Sequence, residues 1–277
     1  MIKKWRFTYL AFFAIVLLSG CSEYQKVLKD SDVKKKYDMA EKLYEEGDYK
    51  RAIRIYEQIV PQYVGKPQGE RLQYFYANSY YQSGDYYLAA YQFERFTKSY
   101  PRSDKAEEAA FMGAKSQYLT SPRYSLDQGE TQKAIDRLQI FINANSESEY
   151  LEEANTMMED LRGKLEKKSF EIAKQYNRIS DYNAAITSFE LFFENFPGSI
   201  YKEDAMFYDY LARYNLAVNS IYSRKEERIE NAKVAYNALK SEYPESKYLS
   251  RSDKMYSDLE QHDAELQELL ENYTVNN

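Results

Sequence analysis

The feature that most constrains the fold is a helix–turn–helix pattern between Tyr76 and Pro101. Apolar residues stand at helical spacing before Gly84-Asp85, and Ala89 and two phenylalanines stand at helical spacing after it. Gly84 can take the positive φ that ends a helix, and Asp85 can cap the next helix. Because the closing proline cannot continue a helix, the stretch predicts two short helices that pack together and then turn.

The same pattern recurs along the chain. A small residue opens the second helix of each copy: Ala52, Ala89, Ala134, Ala185 and Ala232. A large apolar residue follows each of these four positions later: Tyr56, Phe93, Leu138, Phe189 and Tyr236. Registered copies at intervals of this size predict an array of about five helix pairs, since no single pair can bury its apolar face alone.

The small-residue, aromatic and proline positions resemble those of the tetratricopeptide repeat. The chain has 277 residues with 9 Gly and 6 Pro, and so few helix breakers favour an all-α protein. We therefore expect a right-handed superhelical solenoid of about five tetratricopeptide-like helix pairs plus a C-terminal helix. The repeat domain is placed at residues 33–272 and a short tail at 273–277. The last helix is either a cap for the array or a partner-binding element.

Departures from the repeat period predict local irregularities. An insertion at residues 120–128 lengthens the third repeat, and the first helices of the fourth and fifth repeats are expected at about 149–179 and 200–222. The charged run Arg-Lys-Glu-Glu-Arg at residues 224–228 is interpreted as a bend before the last repeat's second helix.

The N-terminus reads as a secretory signal. A basic start is followed by an apolar run of 12 residues, which is too short to span a bilayer comfortably. Leu18, Ser19, Gly20 and Cys21 come next and resemble the bacterial lipoprotein box. We predict a signal peptide at 1–20 and a lipidated tether at 21–32. The Cys21 thiol would carry diacylglycerol, with a fatty acid on its amine, and several acyl chains anchor a protein stably.

The alternatives at this position are an ordinary cleaved signal or an uncleaved anchor. The residue after the cysteine is Ser22 rather than the Asp that favours retention in the inner membrane. The outer membrane is therefore the expected location, and the single acid among residues 22–25 favours its periplasmic side.

Catalytic patterns are lacking in the sequence. His262 is the one histidine, the glycines stand at scattered turns, and lipidation of Cys21 leaves no thiol. The prediction is therefore a protein that is not an enzyme and has no metal or other cofactor. The formal net charge is −6, and removing the signal's three cations makes it −9, which does not favour nucleic acid as a partner.

Binding is expected on the first helices of the repeats. Counting from each turn glycine gives six candidates for a peptide groove: Tyr37, Glu41, Tyr44, Tyr74, Asn78 and Tyr81. Tyrosine rings offer faces for stacking and hydroxyls for backbone groups, so such a groove could hold an extended or hairpin peptide. The other interpretation is that these rings pack on neighbouring helices.

The lipoprotein box, the five repeats and the length together resemble the BamD family, lipoproteins of the outer-membrane β-barrel assembly machine. The most specific parts are Leu18 to Cys21, Gly84 to Ser103, and Tyr176 to Ala205. The resemblance implies partners: a BamA-like β-barrel insertase at the C-terminal repeats, beyond about Lys164, and unfolded outer-membrane β-barrel proteins at the N-terminal repeats. Some members carry Asn-Arg where this chain has Thr187-Ser188, so the resemblance assigns no docking residue.

Two rival roles keep the same architecture. One is a periplasmic repeat lipoprotein that scaffolds a cell-wall or envelope complex, although residues 22–32 are too short for the coiled coil that often precedes such repeats. The other is a nutrient-importer lipoprotein, although those are usually about twice as long and stack sugars on tryptophan. The one tryptophan here, Trp5, lies in the predicted signal peptide.

Overall fold

The structure is a computed structural model that describes residues 23–275, with side chains described up to residue 272. This part of the chain contains α-helices and one 3-10 helix and no strand. In order, the elements are α1 (23–29), α2 (Val33–Glu45), α3 (Tyr49–Ile59), the 3-10 helix (Val60–Tyr63), α4 (Gly69–Gln82), α5 (Tyr86–Ser99), α6 (Ala106–Leu119), α7 (Gly129–Ala144), α8 (Leu151–Arg178), α9 (Tyr182–Asn195), α10 (Lys202–Val218), α11 (Tyr222–Glu242) and α12 (Leu249–Val275). No helix within residues 23–275 is long and apolar enough to cross a membrane.

Helices that are adjacent in the sequence pack as hairpins, and each of the hairpins named here contacts the next. These hairpins are α2 with α3, α4 with α5, and α6 with α7. The chain divides into two compact units. Unit 1 comprises the described residues of Met1–Pro122 together with Leu126–Leu161, and unit 2 comprises Arg123–Ser125 together with the described residues of Arg162–Asn277. The expected all-α, helical-repeat fold is therefore confirmed.

The turns inside the hairpins follow their sequence signals. Gly47 and Gly84 have φ values of 77° and 81°, and Ser180 takes φ 64° at the corresponding turn of unit 2. The next aspartate accepts a backbone N–H in each case, as Asp85 does from Leu88 at 3.3 Å. A left-handed residue that ends one helix and a carboxylate that caps the next thus reverse the chain in two or three residues.

The core is built from the small and aromatic positions that define the repeat. Ala52, Ala89, Ala134, Ala185 and Ala232 are all fully buried, and Phe93, Phe96, Phe189 and Phe192 fill the space beside them. Alanine at these positions lets the two helices of a hairpin approach closely, so the rings of the second helix reach the first helix of the following hairpin.

A serine links each repeat to the first helix of the one before it. Ser103 Oγ donates to Glu70 at 2.5 Å and accepts the backbone N–H of Lys105 at 3.0 Å. The same bonds join Ser148 to Glu107 at 2.5 Å and Ser246 to Glu203 at 2.7 Å. Ser199 likewise bonds to Glu166. We call each of these a serine clamp, and it explains why Ser recurs two residues after Pro or its equivalent.

The irregular regions give one confirmation and one correction. Residues 120–128 form a loop between α6 and α7, as the predicted insertion requires. The bend expected at 224–228 is wrong, because these residues lie inside α11 and the chain turns at 219–221 instead. Arg, Lys and Glu are good helix formers, and burial of Ile229 to 1% exposure fixes the helix that carries them.

The segment expected to be a polar tether at 21–32 contains a helix in its described part. Residues 23–29 form α1, where Tyr24 is buried in the core of unit 1 and Leu28 packs against it. Two apolar residues four positions apart give too short a pattern to reveal one buried helical turn from sequence alone.

Candidate peptide-binding face

The first helices of unit 1 place the six predicted groove residues on adjoining surfaces. Tyr37, Glu41 and Tyr44 lie on α2, and Tyr74, Asn78 and Tyr81 lie on α4. The tyrosine face is the name used below for these six residues with their neighbours on α4 and α6: Arg71, Phe75, Lys105, Glu108, Phe111 and Lys115. Hydrogen bonds and ion pairs cross between the helices along the whole of it.

At the N-terminal end, Tyr37 Oη donates to Glu41 at 2.7 Å, and Arg71 of α4 pairs with the same carboxylate at 2.8 Å. The Tyr37 ring lies 5.4 Å from that of Tyr63. Burial, followed by the bond to Glu41, raises the pKa of Tyr37 to about 12. The hydroxyl is therefore a hydrogen-bond donor throughout the physiological pH range.

In the middle, Tyr44 Oη donates to Asn78 Oδ1 at 3.1 Å, and its ring stacks on Phe75 with centroids 4.5 Å apart. Asn78 is only 8% exposed, so its amide serves this contact between α2 and α4. Tyr44 itself is half-buried.

Tyr74 is a core residue that also ties α4 to α6. Its ring is 8% exposed and meets Phe96 edge-on at 5.6 Å, and its Oη donates to Glu108 at 2.5 Å. Burial and then the Glu108 bond raise the pKa of Tyr74 well above its ordinary value. Burial alone would raise the pKa of Glu108, but the bonds from Lys105 and Tyr74 outweigh it and lower that pKa.

The structure thus separates the six candidates into two kinds. Tyr74 and Asn78 are buried and join helices, which is what the packing interpretation describes. Tyr37, Glu41, Tyr44 and Tyr81 are half-buried, with part of each side chain in solvent. The groove itself stays a prediction, and these four are the members able to contact a ligand.

Sequence reasoning missed the cations of the face. The guanidinium of Arg71 lies 4.9 Å from the Phe75 ring centroid, and Lys115 lies 5.6 Å from that of Phe111. Each pair is spaced four residues apart on one helix, which is a signal that could have found them. Counting a further 37 residues from Tyr74 and Asn78 also reaches Phe111 and Lys115. These cations, held near aromatic rings, place positive charge on the tyrosine face beside its tyrosines.

Unit 2 carries rings and cations of the same kind on its own first helices. Phe170 stacks on Tyr201 at 5.2 Å, with Lys174 Nζ 5.3 Å from the Phe170 centroid. Phe207 stacks on Tyr248 at 4.0 Å. The stacked tyrosine stands two residues after the clamp serine, so the clamp and the ring stack form one repeated joint.

Unit 2 also has an arginine-lined cleft. A cavity of about 220 Å³ lies among α9, α10 and α11, and Arg213, Arg224 and Arg228 contribute to its lining. Arg213 pairs with Glu190 at 2.7 Å and with the buried Asp209 at 2.9 Å. Arg224 is exposed at the mouth of the cleft. The cleft can accept an acidic side chain or a carboxylate.

Helix hairpins joined in series by serine clamps define a helical-repeat protein. Comparison with known families makes this more specific. The model of the YfiO family, described as outer membrane lipoprotein, matches residues 29–229, so the chain belongs to that family. No curated protein gives a significant match.

Proposed function

We propose that the protein is a non-enzymatic, lipid-anchored scaffold that assists assembly and insertion of β-barrel proteins in the outer membrane. The observation that carries this is membership of an outer-membrane lipoprotein family over residues 29–229, which fits the BamD-like pattern of the sequence. Cys21 is the proposed site of the diacylglycerol and fatty acid. The protein would stand on the periplasmic side, where unfolded barrel proteins pass.

Unfolded barrel segments would bind along the tyrosine face of unit 1. Such segments are extended chains with unpaired backbone groups, alternating apolar and polar side chains, and aromatic residues near the strand ends. Tyr37 and Tyr44 offer rings and hydroxyl oxygens that can accept a backbone N–H, since their protons are donated to Glu41 and Asn78. Arg71 offers a guanidinium to backbone carbonyls, and its side chain is 57% exposed. The combination suits backbone carbonyls and aromatic residues together.

Docking of a BamA-like barrel insertase would use unit 2. The helix that carries Thr187-Ser188, in place of the Asn-Arg of some related proteins, also contributes Asn183 and Ile186 to the arginine-lined cleft. Arg224 and Arg228 supply positive charge that the helix itself lacks at 187–188, whereas Arg213 is already paired with Glu190 and Asp209, and Glu227 also lines the cleft. An acidic loop on the insertase is the complementary partner.

Site-specific photocrosslinking tests the substrate face in the native membrane. A photoreactive residue at Arg71 should capture unfolded barrel proteins. The same residue at Arg95, an exposed cation on the outer side of α5, is the matched control. Equal capture at both positions, or no capture at Arg71, would contradict this placement.

Affinity purification from mildly solubilised membranes tests the partner. A tagged wild-type protein should recover a barrel insertase with periplasmic domains, and Arg224→Glu should recover less of it than Arg251→Glu does. Arg251 is also an exposed arginine and lies outside the cleft, with its guanidinium 5.2 Å from the Phe207 ring centroid. Recovery of cell-wall or importer proteins without such a barrel would overturn the assembly role.

A further inference from the structure

The first described residues fix where the N-terminus leaves the fold. Tyr24 on α1 is 4% exposed and belongs to the core of unit 1. The Arg51 guanidinium lies 5.5 Å from the centroid of the Tyr24 ring. Since Arg51 stands in the first turn of α3, directly after the turn at Gly47-Asp48, α1 begins at the edge of unit 1 where α2 turns into α3.

We call this the turn edge, and it comprises Gly47-Asp48, Gly84-Asp85 and the unit 1 residues 120–122 and 126–128 of the loop after α6. At this edge α2, α4 and α6 end and their partner helices begin. Cys21 precedes Glu23 by two residues, and two residues of chain span at most about 7 Å. A lipid on Cys21 therefore leaves the protein beside the turn edge.

The turn edge also exposes large apolar side chains. Tyr87 is 57%, Leu88 41%, Leu119 39% and Leu126 48% exposed. Tyr87, Leu88 and Leu119 line one open cleft, together with charged residues such as Lys50 and Arg54, so these exposed apolar side chains lie near one another.

Charges around the α2–α3 turn balance. Three cations and three acids lie within ten residues there: Lys50, Arg51 and Arg54, with Glu45, Glu46 and Asp48. The balance at this turn, with the acid Asp85 at the next turn, therefore gives the edge no attraction for an acidic protein or a strongly anionic surface. Tyrosine and leucine flanked by Lys50 and Arg54 match the interfacial layer of a bilayer, where amphipathic rings and long basic side chains sit at headgroup level.

We propose that the turn edge of unit 1 lies on the phospholipid surface of the membrane that carries the anchor, with Tyr87 and Leu88 at headgroup level. The inference rests on the proposed lipidation of Cys21. The lipid holds the turn edge beside the bilayer, so weak apolar contacts form at high effective concentration. The edge orients unit 1, and the anchor supplies the affinity.

Tryptophan reporters test the contact, because Trp5 is the chain's one tryptophan and lies in the predicted signal peptide. Leu88→Trp is compared with Val64→Trp, which is 71% exposed beyond the other end of α3. The 11 residues of α3 separate the two edges by about 16 Å. Each full-length protein is purified from membranes and reconstituted in phosphatidylethanolamine–phosphatidylglycerol vesicles, with and without brominated phosphatidylcholine.

We expect the tryptophan fluorescence of Leu88→Trp to shift to shorter wavelength on the vesicles and to lose most of its intensity with brominated lipid, in low and high salt alike. The fluorescence of Val64→Trp should change little. Intact mass reports the lipid on Cys21 separately. Unquenched Leu88→Trp on a lipidated, vesicle-bound protein overturns the inference and leaves anchoring intact, and equal quenching of both reporters also overturns it. A mass without lipid overturns the anchoring and, with it, the inference. If circular dichroism shows that Leu88→Trp is misfolded, Tyr87→Trp replaces it under the same criteria.

Discussion

Ser103→Ala is expected to loosen the joint between the second and third helix pairs. The serine makes two bonds there, one to the Glu70 carboxylate at 2.5 Å and one from the Lys105 backbone N–H at 3.0 Å. A hydrogen bond to a charged group is worth about 1.5 to 3 kcal/mol, and partial exposure of this pair places it at the lower end. A cap-type bond adds about 0.5 kcal/mol.

The free energy of unfolding of unit 1 should therefore fall by about 2 kcal/mol. In a repeat array such a loss acts on the nearest neighbours. Hydrogen exchange should consequently speed up in α4, α5 and α6 while the helices of unit 2 keep their rates. Urea denaturation followed by circular dichroism gives the energy, and exchange read by mass spectrometry gives its location. Ser99→Ala, at an exposed serine near the end of α5, is the matched control.

A double-mutant cycle decides whether the clamp is responsible. With Glu70→Gln as the second change, the cost of Ser103→Ala should shrink, because the charged acceptor is already gone. An equal cost in both backgrounds would refute the reasoning from the Ser103–Glu70 bond.

Two further predictions concern the second unit. Ser180→Gly should stabilise the protein by about 0.5 to 1 kcal/mol, because Ser180 holds φ 64°, and a lower urea midpoint would contradict this. Burial raises the pKa of Asp209 from 3.8 to about 6, although Arg213 opposes the shift. The folded state therefore binds the Asp209 proton more tightly than the unfolded state does. The protonated carboxyl makes its full contribution to stability below pH 3.8, and this contribution is lost as the pH rises through 6. The side chain introduced by Asp209→Asn does not ionise. The unfolding free energy of the variant minus that of the wild type should therefore rise by about 1 kcal/mol from pH 5 to pH 8, and a difference that stays constant with pH would argue against this account.

The hairpins could be predicted from sequence because their signals are local. Each signal acts within a few residues: a glycine adopts positive φ, the next residue is an aspartate that caps the following helix, and an alanine comes four residues later. Gly84, Asp85 and Ala89 have these roles in the structure. The predicted bend at 224–228 is wrong because charge alone does not mark a loop. The same charged residues are good helix formers once Ile229 is buried.

The exposure of the candidate site could not be predicted. Helical spacing assigns Tyr44, Tyr74 and Asn78 to one side of their helices, but whether the next repeat covers a ring depends on how the hairpins stack. Tyr74 is covered because Phe93 and Phe96 of α5 and Glu108 of α6 close over it. Tyr44 is only half-buried, although it stacks on Phe75 and bonds to Asn78.

The serine clamps also impose an order on folding. Each clamp joins a glutamate to a serine that follows it by 33, 41 or 43 residues, so a repeat becomes complete when the next repeat has arrived. A chain that enters its compartment N-terminus first can close each clamp only after the 33 to 43 residues between the glutamate and its serine have followed. The hairpin that has emerged last therefore lacks its clamp. Until the next serine follows, the first helix of that hairpin is open to a chaperone or a protease.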